Sequence, residues 1–204
     1  MGGRHQAPLG GAVTAALAGI CGLGLFLSNA RASMLAAATA VVIYAGYVVF
    51  GRRAVPAVLV ATALTITGFL LGMYVDVIGI SDSNRFDLWA GSLAAIRDGP
   101  FLFGYGAPAS HVIEPYLDGG LSASPHNSYL SVFVRFGLVG GLAYLGLVVG
   151  SVVAGAIEYR EVDVAMLAFA GWAVHQLFES YTLFWWSPGA VIGSLVIGYL
   201  LFGD

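Results

Sequence analysis

Few side chains in this sequence can do acid–base or anion chemistry. The 204 residues carry 8 basic side chains, all of them arginine, 11 acidic ones and 4 histidines. His126-Asn127 follows Pro125 at the entrance to a long apolar run. An unperturbed imidazole titrates near 6.5, so His126 suits the removal of a proton from a hydroxyl. The plainer alternative is a headgroup-facing or helix-capping histidine. Arg31 and Arg85 each offer a planar fork of N–H donors that fits phosphate oxygens. For Arg31 and Arg85 the plainer alternative is a snorkelling cation at a span end, touching lipid phosphate. Arg135 lies a turn or two inside an apolar run, where a guanidinium needs a partner or a water-filled cavity. His175 and Glu179 are four apart, which puts them on one helical face as a buried polar pair that braces an arginine or a pocket. A metal would need further ligands nearby, and none completes a set. Arg97 is expected to pair with Asp98 or to cap a helix end. Asp76, Asp82, Asp87, Glu114 and Asp118 read as a solvated surface; one of them could replace His126 as a base, though no spacing singles it out.

The elements that must position these groups are overwhelmingly apolar. Hydrophobic residues make up 59% of the chain, charged residues 9%, and the mean hydropathy is +0.88. A soluble domain carries about a quarter charged residues, so this is a membrane protein. Apolar runs near 9–28, 33–50, 54–75, 128–157, 162–184 and 187–202 predict an all-α, polytopic transmembrane bundle of about six spans. The fourth run is long enough for one tilted helix, or for a short surface segment followed by a span. Intrinsic disorder is excluded by the abundance of apolar surface. A net charge of -3 and the absence of lysine leave no basic stripe for nucleic acid. Cys21 is alone and can form neither an intrachain disulfide nor a cysteine-based metal cluster. Glycines at four-residue spacing, as in Gly68/Gly72, Gly146/Gly150 and Gly189/Gly193, are expected to let helices approach closely. No glycine cluster follows a strand, so a nucleotide-binding fingerprint is not supported.

Arg4, Arg52-Arg53 and Arg160 fall on one side of an alternating six-span bundle, and the positive-inside rule makes that side cytoplasmic. Both termini are then expected inside, with the turn at 28–32 and the insert at 76–127 outside. A rival reading of the first run is a secretory signal ending at Ala30-Arg31-Ala32, but the run exceeds the 7–15 residues of a signal core and another span follows almost at once. Gln6 stands where a myristoylation signal needs Ser or Thr. Within the insert, Ser81-Asp82-Ser83-Asn84 offers helix caps. Phe86, Trp89, Leu93 and Ile96 then recur at helical spacing until Asp98-Gly99-Pro100, which predicts an amphipathic helix with its aromatic side at headgroup level. In Pro100–Gly106, Gly104 and Gly106 remove side chains and let the backbone approach a neighbour. Residues 107–125 read as a loop.

At these residues the chain resembles the carboxy-terminal part of the O-antigen ligase and O-antigen polymerase family, integral-membrane enzymes of surface-polysaccharide assembly and lipopolysaccharide biosynthesis. The likeness rests on Ser28-Asn29-Ala30-Arg31 between two spans, on Arg85, Trp89 and Pro100–Gly106 in the insert, and on His126-Asn127-Ser128-Tyr129-Leu130 followed by Phe136-Gly137-Leu138-Val139-Gly140. A weaker echo runs from His175 to Glu179. Together these landmarks cover roughly residues 20–200. The family's Ser-Arg pair is here interrupted by Asn29-Ala30, and several amino-terminal spans of the family are missing.

The resemblance implies the catalytic half of a GT-C-like membrane glycosyltransferase in the plasma (inner) membrane, with its site facing the extracytoplasmic side. The implied reaction moves a glycan from a polyprenyl-pyrophosphate carrier to a hydroxyl of a glycolipid, glycan or protein acceptor, without metal or other cofactor. His126 would be the general base, and Arg31 and Arg85 would bind the pyrophosphate. Arg135, Glu179, His175 and Asn127 could line the site. Membrane lipid, and possibly a separate chain supplying the missing spans, would be the other partners. The competing readings are a transporter or lipid-binding membrane protein, with Arg135 and Glu179 on a solute path, and an inactive fragment acting only as an interaction partner.

Overall fold

Backbone polar groups in an apolar run have no water to bond to inside a bilayer, so a helix, which satisfies them internally, is the conformation such runs adopt. The computed structural model describes residues 8–75, 84–117, 124–157, 164–180 and 187–202, and among them no strand forms. Arg4, Asp76, Ser81-Asp82-Ser83, Asp118 and Arg160 lie outside the described residues. The helices are α1 (Pro8–Leu27), α2 (Arg31–Phe50), α3 (Val55–Tyr74), α4 (Arg85–Asp98), α5 (Ala109–Ile113), α6 (Ser128–Ile157), α7 (Val164–His175) and α8 (Pro188–Phe202). Three stretches, Arg31–Phe50, Arg52–Tyr74 and Ser128–Ile157, are long and apolar enough to cross a membrane; Ala15–Leu27, α7 and α8 are apolar but shorter.

The packing centre is the pair α2 and α7. They run antiparallel: Ser33 meets His175 at one level, and Gly171 lies so close to Ala36 a turn further on that a Cβ there would sit 2.7 Å from the Ala36 carbonyl oxygen. Ile43, Val55, Tyr144, Val148, Met166, Phe169 and Leu200 join α2, α3, α6, α7 and α8 in one buried core. The glycines that make close helix contacts are Gly46 against Val58, Gly155 against Met166, and Gly171. Gly68, Gly146 and Gly150, expected to form such contacts, have open space where a side chain would stand. Spacing alone identifies a small face and does not say whether a helix covers it.

α6 is broken at Gly137, whose φ of 65° and ψ of -162° are not helical. Of the two alternatives for the fourth run, this is the short segment followed by a longer helix. Such a break frees backbone donors and acceptors that must be satisfied elsewhere. The Pro100–Gly106 turn supplies them: Leu138 and Val139 donate their N–H groups to the carbonyls of Phe101 and Leu102 at 2.8 and 3.1 Å, and Tyr105 and Gly106 donate to Val134 and Arg135 at 3.0 and 2.9 Å. Contact is backbone to backbone. A Cβ on Gly104 would lie 2.4 Å from the Gly137 nitrogen, and one on Gly137 would lie 2.4 Å from the Leu102 carbonyl carbon. Both glycines also hold positive φ, which other L residues adopt at a cost.

α4 follows its expected bounds; its face buried in the protein is Leu88, Gly91, Ser92 and Ala95, while Leu93, on the predicted aromatic side, is exposed. The small residues win that face because they admit Leu117 and the α5 region closely, leaving Trp89 and Ile96 at its edge. Residues 109–116, expected as loop, form α5 and a 3₁₀ turn (Glu114–Tyr116), with Ile113 fully buried. One helical turn is too short to show periodicity in sequence. α7 ends at His175, so His175 and Glu179 do not share a helical face; Gln176–Phe178 form a turn instead. The cause is α6, whose first residue takes the carbonyls that a continuing α7 would use: Ser128 N donates to Gln176 O (2.8 Å) and Ser128 Oγ to Glu179 O (2.7 Å). At the far end of α6, an Arg52 Nη donates to the Ile157 carbonyl and so caps the helix.

Candidate functional site

Three chain reversals gather the chemistry-bearing residues. Asn29, Asn84 and His126 are the non-glycine residues with positive φ (50°, 61° and 44°) among the described residues. Each stands one or two positions ahead of a helix: α2 beginning at Arg31, α4 at Arg85 and α6 at Ser128. Asparagine tolerates this conformation well; at His126 it holds an imidazole-bearing residue in a sparsely populated backbone state. Asn127 is buried and its side-chain oxygen accepts from Leu130 N at 3.0 Å, so it caps α6. Trp89 Nε1 donates to the Pro125 carbonyl (3.1 Å), pinning the segment before His126 to α4.

Glu179 is where these elements meet. One carboxylate oxygen lies 3.9 Å from Arg85 Nη2 and the other 3.8 Å from His126 Nδ1. Arg85 also donates to the Phe178 carbonyl through Nη1 and stacks over the Phe178 ring, 5.7 Å from its centroid. The side chains remain reachable: Arg85 is 26% exposed, Glu179 29% and His126 42%. His175 stands behind the cluster, its Nε2 3.1 Å from Ser33 Oγ, within electrostatic reach of both Glu179 and Arg85. Below it the fully buried Gln176 accepts a hydrogen bond from Tyr144, tying α6 to the end of α7.

Arg31, at the first position of α2, is exposed; its backbone N–H donates to the Asn29 carbonyl at 2.9 Å, and its side chain makes no hydrogen bond or ion pair among the described residues. It stands at the same end of α2 as Ser33, two residues before the His175 contact, but does not join the Glu179 cluster. Arg97 and Asp98 form a two-point pair (Nε–Oδ1 2.7 Å, Nη2–Oδ2 3.1 Å), as expected, and the hydrogen bond holds the Asp98 carboxyl below its ordinary range. Asp87 and Glu114 are exposed. Among the described residues no three His, Cys, Asp or Glu side chains group as metal ligands would.

Beside the cluster lies a cavity of about 270 Å³, lined by Pro108, Ala109, Ser110, Ser124, Pro125, Ser131, Val132, Arg135, Phe136 and Ser180. Arg135 is thus the arginine that faces a cavity, while His126 and Glu179 flank it in sequence through Pro125 and Ser180. Sequence reasoning missed these serines, Ser33 and the Phe178 carbonyl. Serines carry no periodic signal, and a backbone carbonyl becomes available only because α7 stops; the one legible hint was polar Gln176 within an apolar run.

No curated protein and no solved structure matches this chain. Residues 16–145, which hold Arg31, Arg85, the Gly104 and Gly137 junction, His126 and Arg135, match the O-antigen ligase family, and the chain belongs to that family.

Proposed function

We propose that this chain transfers a glycan from a polyprenyl-pyrophosphate carrier to an acceptor hydroxyl at the extracytoplasmic face of the plasma membrane, as a surface-polysaccharide ligase or polymerase. The observation that carries the reading is the convergence of Arg85 and His126, 41 positions apart, on the two oxygens of Glu179 in a chain of this family. Sidedness has its own support. Arg52 caps the end of α6 opposite His126. The 30 residues of α6, broken at Gly137, separate those ends by roughly 40 Å, which would be enough to put Arg52-Arg53 inside and the cluster outside.

In this reading the acceptor oxygen attacks the anomeric carbon from the face opposite the carrier, and its proton passes to His126 Nε2. The glycosidic C–O bond breaks with its electron pair going to the pyrophosphate, and the configuration inverts. Glu179 holds the imidazole through Nδ1, which leaves Nε2 for the hydroxyl and stabilises the imidazolium that forms. At 3.8 Å the contact is longer than a hydrogen bond, and the reaction requires it to shorten to one in the reactive complex. Arg85, held by the Phe178 carbonyl and Glu179, stabilises the charge that develops on the leaving pyrophosphate. Arg31 is a second, exposed cation at the same end, and its fork of donors can bind the diphosphate as well.

Glycan transfer by His126→Ala, measured in membranes with insertion and expression checked in parallel, tests the reading. Loss of transfer with normal insertion is expected, and wild-type transfer would remove His126 from the mechanism.

A further inference from the structure

We infer that the cavity beside His126 binds a sugar ring carrying an anionic group, a carboxylate or a phosphate ester, and that Arg135 selects it. The inference rests on the proposed glycan transfer and names the substrate chemistry of that site.

Arg135 lies on the segment of α6 before the Gly137 break, and its backbone is fixed there because its carbonyl accepts from Gly106 N. The guanidinium carbon sits 5.1 Å from the Phe136 ring centroid, so one face of the fork is occupied by an aromatic ring. Its Nε is enclosed and makes no hydrogen bond among the described residues, and no carboxylate is among the described residues that line the cavity. An enclosed guanidinium N–H without an acceptor is costly, and a half-buried charge gains from a counter-charge. An anionic ligand supplies both.

The remaining walls say what carries the anion. Ser110, Ser124, Ser131 and Ser180 present hydroxyls. Ser124 and Ser180 share one hydrogen bond at 3.2 Å, and Ser131 donates to the Asn127 carbonyl at 2.8 Å, which leaves acceptor lone pairs free to take ligand O–H groups. Val132, Phe136 and the two prolines add apolar surface against which the C–H face of a pyranose packs. The volume of about 270 Å³ lies just under the range of drug-sized sites, the scale of one sugar residue rather than a lipid chain. Pro125 and Ser180 place that ring next to His126 and Glu179, so a hydroxyl on it, or on the residue linked to it, reaches the base.

The experiment uses the full chain in lipid nanodiscs, with methyl β-D-glucuronide as the anionic probe and methyl β-D-glucoside as its neutral counterpart, both followed by saturation-transfer NMR. The glucuronide should bind more tightly than the glucoside. Arg135→Gln should weaken the glucuronide at least about tenfold and leave the glucoside unchanged, as loss of one charge-assisted pair requires. Arg135→Lys should restore part of the preference and serves as the control for folding. Equal binding of the two probes, or glucuronide binding indifferent to Arg135→Gln, overturns the inference. His126→Ala should lose transfer yet retain glucuronide binding; an unsubstituted chain that binds the probe but transfers no glycan would sink the proposed reaction and spare the subsite. With substrates extracted from the cells that make the protein, Arg135→Gln raising the KM for the acceptor places the anionic sugar on the acceptor, and raising the KM for the carrier-linked donor places it there. Unchanged values for both overturn the inference.

Discussion

Arginines occupy both ends of α6, and they are used differently. At the Ile157 end the Arg52 guanidinium donates to a helix-terminal carbonyl, a contact that satisfies backbone groups and complements the helix dipole. At the His126 end Arg85 also meets a carbonyl, but it shares a carboxylate with an accessible imidazole, and Arg135 faces a cavity with an enclosed donor unpaired. A cation whose partners are all backbone is a cap. A cation that leaves charge or donors uncommitted, beside a strained histidine and a cavity, is arranged for a ligand.

The contrast is broken most severely at His126. His126→Gly should lower glycan transfer by about 10²–10⁴-fold, the usual contribution of a positioned base, while raising stability by about 1 kcal/mol through relief of the 44° φ. Thermal unfolding alongside the transfer assay reads both. Activity and stability moving together would mean that the histidine is structural.

Arg85→Lys should reduce transfer about 10²-fold, since a single ammonium cannot hold Glu179, the Phe178 carbonyl and a diphosphate at once. Gly137→Ala sharpens the scaffold side. A Cβ 2.4 Å from Leu102 at positive φ should cost about 3 kcal/mol and detach the Pro100–Gly106 turn, seen as protease sensitivity near Phe103. Arg52→Ala should cost about 0.3–1 kcal/mol of stability and leave turnover unchanged. The smallest effect belongs to Asp98→Asn. Because Arg97 depresses the Asp98 pKa, the pair stabilises the fold above the carboxylate range and stops doing so as pH falls through it. The variant should therefore melt slightly below wild type at neutral pH and together with it in acid.

How much of this was legible depended on the length over which a residue's role is written. The long apolar helices follow from apolar runs, which are averages over many residues. The close approach at Gly104 was readable because Gly-x-Gly after a proline has few other uses, although its neighbour, the break at Gly137, was not named. The stop of α7 was missed because it is imposed from outside: Ser128 takes the Gln176 and Glu179 carbonyls, and no local feature of His175–Glu179 announces it. That miss put His175 and Glu179 on one helical face, whereas His175 meets Ser33 and Glu179 lies between Arg85 and His126, with His175 within electrostatic reach of it. The cavity was invisible in sequence apart from Arg135, because its serines come from four separate segments.

The central claim is that His126, held by Glu179, takes the proton of the attacking hydroxyl. Chemical rescue tests it most directly: glycan transfer by His126→Ala measured with and without added imidazole. The account predicts an inactive variant whose turnover returns with imidazole, in proportion to the neutral fraction of the added base. A variant that transfers glycan at the wild-type rate without imidazole would contradict it.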